Sequence, residues 1–160
     1  MKGPSPRAQI TELDEEFARL HRNACELVSI TGLEPPEFSP AGGKTGPFRK
    51  EILRGAAVVE QTFGGLTANL WDDPFEWTLP ETLNTPRLLI EYLNEVETTR
   101  RRAFDSLRGD EDLAREVVVP SGQRQTLLSL FRETISRAAT LQSRAFELRD
   151  DAPSAPANDY

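Results

Sequence analysis

Apolar residues recur at alternating three- and four-residue intervals in four separate segments of this chain, and that period leaves few folds open to it. The first segment, Ala8 to Ile30, places Ile10, Leu13, Phe17, Leu20, Ala24, Leu27 and Val28 on one stripe. Thr11, Asp14 and Glu15 suit a helix N-terminus, where carboxylates complement the helix dipole, and Gly32 offers a stop. The second segment starts at Pro47, a residue favoured at the first helical position. It runs through Phe48, Ile52, Ala56, Val59, Phe63, Leu66 and Leu70. Gly64 and Gly65 interrupt it at up to about 1 kcal/mol each relative to Ala, for a close helix crossing or a local bend.

The third helix opens with Thr85 as cap and Pro86 behind it, carries Leu89, Tyr92, Leu93, Val96, Ala103, Phe104 and Leu107, and ends at Gly109. The fourth, Arg124 to Leu148, has the cleanest heptad: Leu127, Phe131, Thr134, Ala138, Leu141, Ala145 and Leu148. Between the helices lie a Pro- and Gly-rich loop from Gly32 to Pro47 and the Trp71–Asn84 segment. Asp110 to Glu116 reads as a short helical turn. Val117 to Val119 is extended in character, but one such piece makes no sheet, so it is expected as a loop packed on the helices. The expectation is an all-α four-helix bundle over residues 8–149, with long connections and one crossover, flanked by disordered residues 1–7 and 150–160.

Composition narrows the function. A chain of 160 residues suits one domain, and with 38% hydrophobic and 28% charged residues it buries a core without staples. One Cys, Cys25, excludes an internal disulfide and a Cys-based zinc site; one His, His21, excludes most zinc enzymes. A net charge of −7 argues against nucleic acid as partner. No stretch reaches the ~20 apolar residues that span a membrane, and nothing near Met1 reads as an export signal, so the expected compartment is the cytoplasm.

The chemistry-bearing residues have plain readings beside the functional ones. Gly42-Gly43-Lys44-Thr45 lacks the earlier glycine of a phosphate loop, whose place is Phe38, and follows no strand; it is a loop. Asp110, Glu111 and Asp112 lack the alternation of a calcium loop. Arg100, Arg101 and Arg102 spread over a helical turn as a solvated face, with Glu97 supporting Arg101 at four-residue spacing. His21 and Cys25 share a face at the same spacing, as a thiolate pair would, yet a small buried Cys and a hydrogen-bonded His explain them. Glu60, Thr99, Arg100 and Thr134 interrupt apolar stripes and either line a cavity or pair with one another. Trp71 and Trp77 make either a lid over the core or an exposed platform for a ligand.

The helix order, with Thr85-Pro-Arg-Leu-Leu-Ile-Glu-Tyr-Leu-Asn-Glu-Val-Glu97, then Ser106-Leu-Arg-Gly-Asp-Glu-Asp-Leu-Ala-Arg-Glu116 and Thr126-Leu-Leu-Ser-Leu130, resembles the DinB/YfiT-like superfamily from Ile10 to Leu148. The resemblance implies a four-helix bundle, often a homodimer. It also implies a divalent metal held by one histidine of the second helix and two, four residues apart, of the fourth. Some members are thiol-dependent transferases or isomerases. Here those positions fall near Arg54, Arg137 and Leu141, and none supplies an imidazole. The resemblance therefore implies the fold and removes the metal chemistry; neither metal nor other cofactor is expected.

Three outcomes remain. In one, a metal-free bundle binds a small molecule or a protein partner, with Arg54, Arg137, Trp71 and Trp77 as ligand-binding residues. In another, the former metal pocket is a metal-independent active site of transferase, isomerase or lyase type. There Arg54 and Arg137 carry positive charge, and Glu60, Glu133 or His21 acts as acid or base. The last is a purely structural dimer with a dry, filled interior.

Overall fold

The computed structural model describes residues 7–30, 46–69, 71, 83 and 85–151. Four helices dominate it: α1 (Ala8–Ile30), α2 (Gly46–Ala68), α3 (Pro86–Asp105) and α4 (Leu127–Asp151). A 3-10 turn at Asp110–Ala114 and two short strands, β1 (Glu116–Val118) and β2 (Arg124–Thr126), lie between α3 and α4. This is the expected all-α four-helix bundle. No described helix is long and apolar enough to cross a membrane.

Helices α1 and α2 each pack chiefly on α3 and α4, so helices consecutive in sequence sit across the bundle from one another in the pairs α1/α2 and α3/α4. Arg7, heading α1, donates to the Leu107 carbonyl just beyond the end of α3, so α1 and α3 run antiparallel. Gln142, late in α4, donates to the Leu20 carbonyl at 2.8 Å, and the 3-10 turn touches both α1 and α4; these two are parallel. Thr62 late in α2 meets Thr134 early in α4 at 2.6 Å, whereas Gly55 faces Ala138 and Leu141. That pairing is antiparallel. The order is thus up-down-down-up, and the link from Ala68 to Pro86 joins opposite ends of the bundle: it is the crossover.

Local chemistry explains two of the four helix starts. Thr85 accepts the Leu88 N–H at 3.1 Å with Pro86 behind it, as its sequence signature requires. Helix α4 begins at Leu127 instead of Arg124, because Thr126 accepts the Ser129 N–H at 3.1 Å as its cap. The cap of α1 differs from expectation. Its Gln9 and Ile10 N–H groups donate to Asp110, both at 3.0 Å, a hundred residues away. Asp14 and Glu15 turn instead to Arg100 and Arg22.

The Val117 region corrects the loop expectation. Strands β1 and β2 form an antiparallel hairpin in which Val117 faces Gln125. Val119 accepts the Gly122 N–H at 2.8 Å across a turn with Pro120 second and Gly122 fourth, and Gly122 has φ +86°. Proline suits the second position and glycine the left-handed fourth. The partner strand Arg-Gln-Thr is polar because the hairpin stands in solvent, so no apolar alternation announces it.

One level of the core takes a phenylalanine from each helix: Phe17, Phe63, Phe104 and Phe131. Ring centroids are separated by 5.1 Å (Phe104–Phe131) to 6.1 Å (Phe17–Phe131), in edge-on, tilted and stacked pairs. Arg100 lies wholly buried beside them, its guanidinium 5.6 Å from the Phe17 centroid and 5.1 Å from that of Phe104. It forks onto Glu97 through Nε (3.0 Å) and Nη2 (2.7 Å) and reaches Asp14 with Nη1. Arg100 is therefore no part of a solvated face, although Arg101 and Arg102 are exposed. Arg101 meets Glu97 at 3.3 Å, as their spacing predicts.

Gly65 has a specific reason. A Cβ there would fall 2.2 Å from two carbons of the Trp71 indole, so only glycine lets that ring lie against α2. Trp71 is held by its Nε1–H on Asn69 at 3.1 Å and by the Gln61 amide on its carbonyl at 2.6 Å. Trp77, the Gly42–Thr45 loop, residues 1–6 and residues 152–160 lie outside the described residues, and so does the choice between lid and platform.

Candidate functional site

Away from the phenylalanine level, the residues at which helices face each other become small: Ala24 of α1, Gly55 and Ala56 of α2, Ala138 of α4. Side chains of this size cannot meet across the bundle, and a cavity of about 50 Å³ remains, bounded on α3 by Leu93 and Val96. Four polar residues reach it: His21, Glu51, Glu97 and Gln142. The apolar wall is mostly buried, whereas His21, Glu51 and Gln142 are half-buried, so the polar groups mark the side nearer the surface.

Each polar group has a defined state. Glu97 is committed to Arg100 and Arg101. Gln142 gives its amide N–H to Leu20. Glu51 differs: its Oε2 is buried and has no hydrogen-bond partner among the described residues. An acceptor in that condition costs about 1–3 kcal/mol, and native structures carry few of them.

Burial pushes the His21 pKa below its ordinary 6.5; Glu97 and a hydrogen bond with Asn94 oppose this, Arg101 and Arg100 add to it. The imidazole is accordingly neutral at pH 7. The Cys25 sulfur lies 3.7 Å from Nε2 and 3.9 Å from Nδ1, nearly equidistant, so it makes no directed bond to either nitrogen. Burial, and then the Glu97 charge, push the thiol pKa up. An activated thiolate needs the reverse of both shifts. The plain reading of this pair stands.

The other sequence-derived candidates are scattered. Arg54 and Arg137 are exposed, and neither lines the cavity. Glu133 is exposed and accepts from Gln125 at 2.7 Å. Glu60 accepts the Tyr92 hydroxyl between α2 and α3. Thr62 and Thr134 hydrogen-bond each other, and Thr99 is exposed. Glu60, Arg100 and Thr134 therefore neither line the cavity nor pair with one another; each pairs outside that set, Glu60 with Tyr92, Arg100 with Glu97 and Asp14, and Thr134 with Thr62.

Of the named candidates among the described residues only His21 reaches the cavity. Glu51 went unnoticed although it had a signal: it stands three residues after Phe48 and four before Gly55, on the buried face of its helix.

The metal implied by the resemblance does not fit this interior. Arg54, Arg137 and Leu141 have no donor for it, and no group of three His, Cys, Asp or Glu among the described residues is placed to hold an ion. No family model, no curated protein and no solved structure matches the chain.

Proposed function

We propose that this protein is a metal-free, DinB-like four-helix bundle that binds a small molecule in the cavity among its helices. The observation carrying the reading is the void itself, which is walled by all four helices and where Ala24, Gly55, Ala56 and Ala138 stand among larger residues such as Ile52 and Leu93. The helix order with one crossover supports the family resemblance. Among the described residues the exposed large apolar side chains are Val118 on β1 and Phe146 on α4, too few and too separate for a protein-docking surface.

Size bounds the ligand. A water needs about 10–15 Å³ of such volume, so the cavity takes roughly three to five non-hydrogen atoms. At a ceiling of about 1.5 kcal/mol per atom, the dissociation constant is micromolar at best.

The test is a two-dimensional amide NMR titration with four-carbon compounds bearing different head groups. Expected are saturable shifts centred on Ala24, Gly55 and Ala138, and their loss in Ala56→Leu, which puts three carbons into the void. Shifts that do not saturate at millimolar concentration, or that survive the filled variant, would overturn the reading.

A further inference from the structure

We infer that the ligand of this cavity is a short-chain primary amine, its ammonium group seated on the Glu51 carboxylate and its carbon chain against the apolar wall. The inference rests on the cavity-binding reading above and adds the chemistry of the head group. The unmet buried polar atom among the lining residues is an acceptor. Glu51 Oε2 is buried at the cavity edge without a partner among the described residues. Gln142 gives one N–H to Leu20 and keeps its second N–H and its amide oxygen. His21 is neutral and hydrogen-bonded to the Asn94 side chain, so its remaining ring nitrogen is a lone pair. Arg100, the fully buried arginine among the described residues, is enclosed by Glu97 and Asp14 and is not among the lining residues.

A ligand for such a site must bring donors to Glu51. An ammonium brings three N–H donors and the charge that a carboxylate lacks. A carboxylate or phosphate would meet Glu51 with like charge, and an alcohol satisfies one acceptor without neutralising it. The apolar wall and the room for three to five non-hydrogen atoms set the remainder as a saturated chain of about two to four carbons.

The probes are isobutylamine, isobutanol and isobutyrate, which share one carbon skeleton and differ in the head group. Each is titrated into the full chain at pH 7.5 and followed by amide NMR. Isobutylamine is expected to bind at least ten-fold more tightly than isobutanol, with isobutyrate not binding. Glu51→Gln is expected to remove that preference, so that amine and alcohol bind alike, with the helical circular dichroism intact. Equal binding of amine and alcohol to the wild type, or an amine preference retained in Glu51→Gln, overturns the amine assignment and leaves cavity binding standing. No saturable binding by any of the three overturns both.

Discussion

The same four helices build two unlike levels. At one, each contributes a phenylalanine, the rings touch, and the buried polar atoms close on themselves in the Arg100–Glu97–Asp14 cluster. At the other, Ala24, Gly55, Ala56 and Ala138 leave a void, and Glu51 Oε2 has no partner among the described residues. Aromatic side chains fill a bundle interior because each carries enough area to reach past the axis. Alanine and glycine do not, and their backbones cannot approach further while neighbouring levels hold the helices apart. The first level is built for stability; the second has the room and the unmet acceptor that a ligand site needs.

The largest effects should separate the levels. Phe131→Ala is expected to lose about 3–5 kcal/mol in chemical denaturation, since three other rings cannot close the gap. Ala56→Leu should stay within about 1 kcal/mol of wild type, below the ~1–3 kcal/mol that overpacking a full core costs. A loss of that larger size would mean the void is not there.

Charge follows next. Glu97→Ala strands the Arg100 guanidinium in the interior and should cost about 3–5 kcal/mol. Asp14→Asn, on the half-exposed arm of the same cluster, should cost under about 1 kcal/mol. Similar losses from both would show that Arg100 reaches water.

Two glycines of α2 should respond with opposite sign. At Gly55 an added Cβ meets its nearest neighbours at 3.6 and 3.8 Å, ordinary contact, so Gly55→Ala should gain about 0.5–1 kcal/mol from helix entropy. Gly65→Ala drives a methyl into the Trp71 ring and should lower the thermal midpoint. A gain at both would mean that Trp71 does not rest on the helix.

The smallest effect is a pH slope, small because His21 is only half-buried. Its folded pKa lies below the unfolded 6.5, so its contribution is complete above 6.5 and is lost as pH falls through the folded value. The groups acting on it are Glu97, Arg100, Arg101 and Asn94, with Cys25 beside it and Glu51 across the cavity. Cys25, with its raised pKa, loses its contribution only on the alkaline side. Denaturation midpoints measured between about pH 7 and pH 5.5 should fall more in wild type than in His21→Gln. Equal slopes would put His21 in solvent.

Periodicity alone located the helices to within a few residues: α1 runs from Ala8 to Ile30 as expected, and Thr85-Pro86 marked the start of α3. Such features are legible because apolar spacing and caps act within one or two turns of the chain. The candidate site was far less legible. His21 reaches the cavity, but Arg54, Arg137 and Glu133 are exposed, since a position one turn off along a helix points the side chain another way. Glu51 looked like one more charge between Lys50 and Ile52.

The chain by itself thus determined four amphipathic helices, the Thr85 cap of α3 and the presence of a single histidine, all of which depend on residue type and short-range order. Only the tertiary structure decided that Asp110 caps a helix a hundred residues distant, that Arg100 is sealed against two phenylalanines, and that four small residues fall at one level. Each of these depends on how helices far apart in sequence align along the bundle axis. That alignment is set by the summed packing of all of them, and no local spacing records it.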